Sequence, residues 1–155
     1  MGAVLKERIE TEEADGLFES AEELREVLNR LLRDIDADAK AGPALRTANV
    51  PHRFVFSDLD VTLNVAGSEL PGHCLRWGFG DDGDWSPALS MEMSSSVANR
   101  FLQGHENLAI AMARSRIRVS CSQARAALNF LPASRGLIGH YRSIVQRDYP
   151  HLVVH

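Results

Sequence analysis

The chain has 155 residues but only two cysteines, Cys74 and Cys121, and only two lysines, Lys6 and Lys40. Two cysteines without a C-x-x-C pair exclude a disulfide framework and a cysteine-held metal cluster, so a reducing cytoplasm is the expected compartment. There is no apolar h-region at the start and no run near the roughly 18 apolar residues of a membrane span, so a soluble protein is expected. Aromatic residues make up 6% of the chain and do not interleave with the arginines, which argues against nucleic-acid binding. No repeat and no low-complexity tract is found.

The charge is unevenly distributed. Residues 1–40 carry twelve acids against six bases, whereas residues 100–147 carry eight arginines against the single acid Glu106. A solvated acidic helix and a solvated basic face account for this. A basic face meeting an anionic membrane is the sharper alternative.

Residues 1–19 read as a polar acidic tail, 20–148 as one domain and 149–155 as a short C-terminal tail. Ser20 and Glu23 form a capping box, followed by Leu24, Val27, Leu28, Leu31, Leu32 and Ile35 at helical spacing. That helix is expected to end near Gly42-Pro43. His52 to Ala66 alternates with period two, placing Val55, Leu59, Val61, Leu63 and Val65 on one face of a strand and Asp58, Asp60, Thr62 and Asn64 on the other. Leu75, Trp77 and Phe79 predict a second strand, hairpin-paired to the first, and Leu89, Met91 and Met93 a third. Ser94 caps a helix that stops at Gly104, and Asn107 caps another with Leu108, Ala111 and Met112 on one face. Ile117 and Val119 predict a further strand. Helices from Ser122 and Ser134 follow, the first ended by Pro132. The order α-β-β-β-α-α-β-α-α argues for an α+β fold: an antiparallel-rich sheet of about five strands with helices packed on one face.

Catalytic signatures fail one by one. Asp58-Leu-Asp60-Val-Thr62 resembles the nucleophile motif of haloacid-dehalogenase-type phosphatases, and Gly80–Asp84 imitates their acidic motif. Only about twenty residues separate the two, however, and no lysine follows at the right place. The reading is rejected. Gly78 to Gly83 spells G-x-G-x-x-G, but no helix follows and its aspartates would repel phosphate. The six histidines show no ligand spacing, and His73 and Cys74 point to opposite faces of a strand. No catalytic residue, metal or cofactor is expected.

What remains is the unit from Ala88 to Leu131. Its strand LSMEM (Leu89–Met93), helix VANRFLQG (Val97–Gly104), Asn107, Ala111 and basic strand RIRVS (Arg116–Ser120) resemble the sterol carrier protein type two family. With the preceding hairpin and the helix Ser20–Lys40, the resemblance spans about residues 20–148. Ser115 and Cys121 stand where that family usually has glycine, Leu108 where proline often follows the asparagine, and the family's peroxisomal tripeptide is absent. The resemblance points to a stand-alone bacterial form.

The resemblance implies a hydrophobic tunnel between sheet and helices that takes a fatty acyl chain, acyl-CoA, sterol or similar lipid. The expected lining is Leu63, Leu75, Trp77, Met91, Met93, Phe101, Leu102, Met112, Leu128, Leu137 and Tyr141, with Arg100 and Arg114 at the rim for a lipid head group. A Met/Phe stripe is equally the mark of a filled core. Two rivals stand beside non-catalytic binding or transfer. One is a small-molecule enzyme using a buried His73, Arg76, Glu92 or Tyr141; the other is a docking module for a partner enzyme, with the cavity filled by side chains.

Overall fold

The computed structural model describes residues 16–48, 50–80, 85–122, 132 and 135–155. Helix α1 (Ala21–Ala37) buries the whole predicted stripe from Leu24 to Ile35. The Ser20 hydroxyl accepts from the Glu23 N–H at 3.0 Å, while the Glu23 carboxylate accepts from the N–H of Glu19 at 3.1 Å instead of that of Ser20. The helix stops earlier than expected. Asp38 donates its N–H to the Ile35 carbonyl, and its carboxylate accepts from Lys40 and Ala41 at 2.7 and 2.8 Å. One residue thus ends α1 through its backbone and caps through its side chain a helix the sequence reading lacks, α2 (Ala41–Ala48). Pro43 lies in its first turn, where a missing N–H costs nothing.

The expected single strand from His52 to Ala66 is two: β1 (His52–Phe56) and β2 (Val61–Gly67), joined by a tight turn. Phe56 pairs with Val61, so the inward positions change parity across the four-residue turn. His52, Phe54 and Phe56 share the inner face with Val61, Leu63 and Val65, and Val55 falls opposite Thr62 on the outer face. Asp58 and Asp60 therefore leave the strand. Asp60 takes a left-handed conformation (φ 53°), and Asp58 accepts from the Ser95 N–H and hydroxyl at 2.7 and 2.6 Å.

Three more strands complete the sheet: β3 (Leu75–Phe79), β4 (Leu89–Met93) and β5 (Ile117–Cys121). Their order is β3-β2-β1-β4-β5, antiparallel throughout except for the parallel β1–β4 pair. The sheet is mixed, and the parallel pair is made possible by the long crossover through β2 and β3. Helix α3 (Ser95–Leu102) is capped by Ser94, α4 (Leu108–Ala113) by Asn107, and α5 (Arg135–Asp148) precedes a 3-10 turn (Pro150–Leu152). Residues 123–131 of the helix expected to start at Ser122, the acidic loop 81–84 and residues 1–15 of the N-terminal tail lie outside the described residues.

Both expected tails are docked where they are described. Leu152 and Val154 are buried, and Phe18 packs on the core. The outer sheet face is polar: Arg53 donates to the Asn64 side chain at 2.8 Å, and the Arg76 guanidinium lies 4.6 Å from the Trp85 ring centre.

Ser115, standing in a glycine position of the resembling family, has φ 58°. A left-handed serine costs about 1–2 kcal/mol, partly offset because glycine has more freedom to lose on folding. Ser115→Gly is therefore expected to stabilise the fold by about 0.5–1 kcal/mol. Urea unfolding measures this, and a loss of stability would show that the Ser115 side chain does something the backbone does not require.

Candidate functional site

An apolar cavity lies between the inner sheet face and the helices. Its floor is His52, Phe54 and Phe56 of β1, Leu63 and Val65 of β2, and Met93 of β4. Leu28, Leu31 and Leu32 of α1 roof it, Leu45 of α2 and Leu137 of α5 close the sides, and Ala98, Phe101 and Leu102 of α3 complete the wall. Its volume is about 30 Å³. That is room for roughly one water, against the roughly 300 Å³ or more of small-molecule pockets. A smaller void of about 10 Å³ adjoins it, lined by His52, Val65, Leu45 and Leu75 among others.

His52 is the one polar side chain on the cavity wall among the described residues. It stands edge-on to Phe54, with ring centres 5.1 Å apart. Its Nδ1–H donates to the Val50 carbonyl at 2.6 Å, since a carbonyl can only accept. Burial pushes the imidazole pKa from 6.5 down to about 4, only weakly opposed by that bond, so the ring is neutral near pH 7. An unbroken strand from His52 to Ala66 would put His52 on the face opposite Leu63 and Val65, so the alternation in the sequence gives no sign of it on the cavity wall.

Of the expected lining, Leu63, Met93, Phe101, Leu102 and Leu137 meet at the cavity, and Leu75 lines the adjoining void. Met91, Met112, Trp77 and Tyr141 lie elsewhere. Met91 is closed in the core, Met112 is exposed, and the Trp77 indole donates to Asn29 of α1 at 2.8 Å. Leu128 lies outside the described residues. Neither arginine is on the cavity wall: Arg100 is 3.5 Å from Glu106, and Arg114 is exposed beyond α4.

Tyr141 belongs to a buried polar network. Its hydroxyl donates to Asn99 Oδ1 at 2.6 Å, which also accepts from Gln103 Nε2 at 2.8 Å. Asn99 Nδ2 donates to the carbonyls of Gly16 (2.9 Å) and Leu152 (2.8 Å). Gln103 completes the set, donating to the Leu152 carbonyl and accepting from the Val154 N–H. Burial, aided by the charge of Glu23, pushes the Tyr141 hydroxyl far above its ordinary pKa. The other residues expected for an enzyme are apart from the cavity: His73, Arg76 and Glu92 are all exposed.

The roof helix is fastened from outside. His73 Nδ1 meets Asp36 at 2.8 Å, His140 Nε2 meets Asp38 just past the helix end at 2.8 Å, and His151 Nε2 meets Glu23 at 2.9 Å. Burial pushes the Asp36 carboxyl up, but His73 and the N–H groups of Leu75 and Cys74 outweigh it and hold it below the usual range. The N–H groups of Ala41 and Lys40, with His140, hold Asp38 near 2. Glu19, Glu23 and His151 bring metal-ligand atoms within 4.8 Å of one another, and none of the three is on the cavity wall.

These elements form an α+β domain with the fold of sterol carrier protein 2. Similar solved structures include a conserved hypothetical protein of Thermus thermophilus that its description links to sterol carrier protein (13% identity, TM-score 0.56, 77% of this chain and 86% of that one). Sterol carrier protein 2 itself (13%, TM-score 0.54, 76% and 94%) and the ubiquinone synthesis protein UbiJ-SCP2 (13%, TM-score 0.54, 74% and 95%) have the same fold. A double mutant of the sec-alkyl sulfatase PisA1 matches at TM-score 0.51 and 12% identity, but this chain covers only 15% of its length. No family model matches the chain, and no curated protein matches it in sequence. At such identities the likeness is one of fold, and at that level the resemblance read from the sequence holds. No helix among the described residues is long and apolar enough to cross a membrane.

Proposed function

We propose that the protein binds and carries a hydrophobic small molecule, such as a fatty acyl chain, acyl-CoA or sterol, between its sheet and its helices. The observation that carries this is the cavity wall: apolar side chains throughout, apart from one neutral imidazole. Burial at roughly 25 cal/mol per Å² holds such a ligand without catalytic groups. The likeness to sterol carrier protein 2 supports the same reading. With only about 30 Å³ open, entry requires the roof to move. The histidine pairs of α1 lie near the surface and are each worth little on their own, so the buried stripe from Leu24 to Ile35 is what chiefly holds the roof and what an entering ligand must replace.

Native mass spectrometry of the freshly purified protein, followed by solvent extraction, tests this. A reproducible one-to-one hydrophobic adduct is expected. Leu102→Trp, at a partly exposed wall position, is expected to weaken uptake of an added fatty acid at least about tenfold by filling the cavity. A protein that stays free of adduct after incubation with fatty acids, acyl-CoAs and sterols would overturn carriage.

A second reading is an accessory module for a partner enzyme. The nearly closed cavity favours it, and the likeness to UbiJ-SCP2 agrees with it. Co-purification of one enzyme in fixed stoichiometry, with no adduct, would select it.

A further inference from the structure

Helix α4, Leu-Ala-Ile-Ala-Met-Ala, contains no polar side chain, yet of its six residues only Ala111 is buried. Leu108 packs partly against the core, while Ala109, Ile110, Met112 and Ala113 are exposed, Ile110 by 54% and Met112 by 44%. Ile110 and Met112 lie two residues apart, on opposite flanks of the helix, either side of the buried Ala111. Scattered exposed apolar side chains are ordinary, but four exposed apolar residues in one helix with no polar side chain form a patch that calls for a role.

The charges beside it have one dominant sign. Arg114, Arg116 and Arg118 follow the helix and are all exposed. Glu106 is almost covered and already held by Arg116 at 2.9 Å and Arg100 at 3.5 Å. Glu92, opposite Arg118 in the β4–β5 ladder, is the other acid on this side. Arg114 has no acidic partner within ion-pair distance among the described residues.

We propose that α4 docks the protein on an anionic lipid surface, with Ile110 and Met112 entering the boundary between head groups and acyl chains and Arg114 and Arg118 meeting the phosphates. A lipid surface fits better than a protein. A six-residue helix is only about 9 Å long, too small by itself for the roughly 800 Å² each partner buries in a stable protein interface. An apolar wedge beside arginines needs no such area to bind reversibly. The segment Gln103–Asn107 joins α4 to the end of α3, where Phe101 and Leu102 form cavity wall. Docking here brings that end of the cavity to the membrane, a purpose that rests on the carrier reading.

Flotation of the full chain, stripped of adduct, with vesicles of phosphatidylcholine plus phosphatidylglycerol or of phosphatidylcholine alone, tests the docking. Binding is expected to the anionic vesicles only and to weaken at high salt. The double variant Ile110→Ser, Met112→Ser is expected to lower partitioning at least about tenfold. Arg114→Glu combined with Arg118→Glu is expected to bring it to the level of the neutral vesicles. Wild-type protein that ignores anionic vesicles, or a serine variant that floats like wild type, would overturn the proposal. So would concentration-dependent self-association abolished by the serine pair, which would assign the face to a second copy of the chain. Fatty-acid uptake by the same variants separates the two ideas: uptake kept while flotation is lost supports docking. Flotation by a wild type that takes up no lipid leaves docking standing and removes carriage.

Discussion

Asn99→Ala is expected to lower the unfolding free energy by about 3–4 kcal/mol, and the melting temperature by roughly 10 °C for a chain of this size. Asn99 is completely buried and makes four hydrogen bonds, accepting from Tyr141 and Gln103 and donating to the carbonyls of Gly16 and Leu152. It ties α3 to α5, to the segment before α1 and to the C-terminal residues. Truncation leaves buried donors and acceptors without one of their partners, and each orphaned group costs about 1–3 kcal/mol. Gln103 still reaches the Leu152 carbonyl, which keeps the loss below the sum. Tyr141→Phe removes a single donor, and the Asn99 oxygen keeps Gln103, so about 1–2 kcal/mol is expected there. Thermal unfolding of both variants checks the order. An Asn99→Ala loss below about 1 kcal/mol would mean that the network merely fills space.

The second large effect is a pH dependence. His52 keeps a pKa of about 4 when folded, against 6.5 when exposed. Above pH 6.5 both states are neutral and stability is at its full value. Between 6.5 and 4 the unfolded chain takes up a proton that the folded chain refuses, so stability falls with falling pH. At 1.36 kcal/mol per pH unit the total loss from this group is about 3 kcal/mol. Asp38 acts in a lower window: with its carboxyl held near 2, its contribution is lost as pH falls from 3.8 through that value. Urea unfolding at about pH 7 and about pH 4.5 gives the slope. His52→Leu is expected to flatten it, whatever its effect on stability at neutral pH. An unchanged slope would place the titrating group elsewhere.

Local patterns carried much of the fold. The apolar stripe of α1, the Ser94 and Asn107 caps, the β2–β3 hairpin and the glycine after α3 are short-range features, set by periodicity and by which side chains satisfy helix-end amides. Where the reading failed, a short-range rule met a longer-range one. Alternation across His52–Ala66 continues through Ser57–Asp60, but pairing Phe56 with Val61 reverses the parity, which alone turns His52, Phe54 and Phe56 inward. Likewise Tyr141 follows the helical register of α5 faithfully, yet its hydroxyl is claimed by Asn99, forty-two residues away in sequence.

The amino-acid sequence by itself determined the α+β class, most element positions and an interior of aliphatic, methionine and phenylalanine side chains without catalytic motifs. Tertiary structure alone decided that β1 lies parallel to β4, that His52 is the polar point on the cavity wall and that five of the expected lining residues meet there. It also decided that the space between them is nearly closed. The physical reason is range: helix stripes and caps depend on neighbours a few residues apart, whereas a cavity exists only where separate strands and helices fail to fill the space between them.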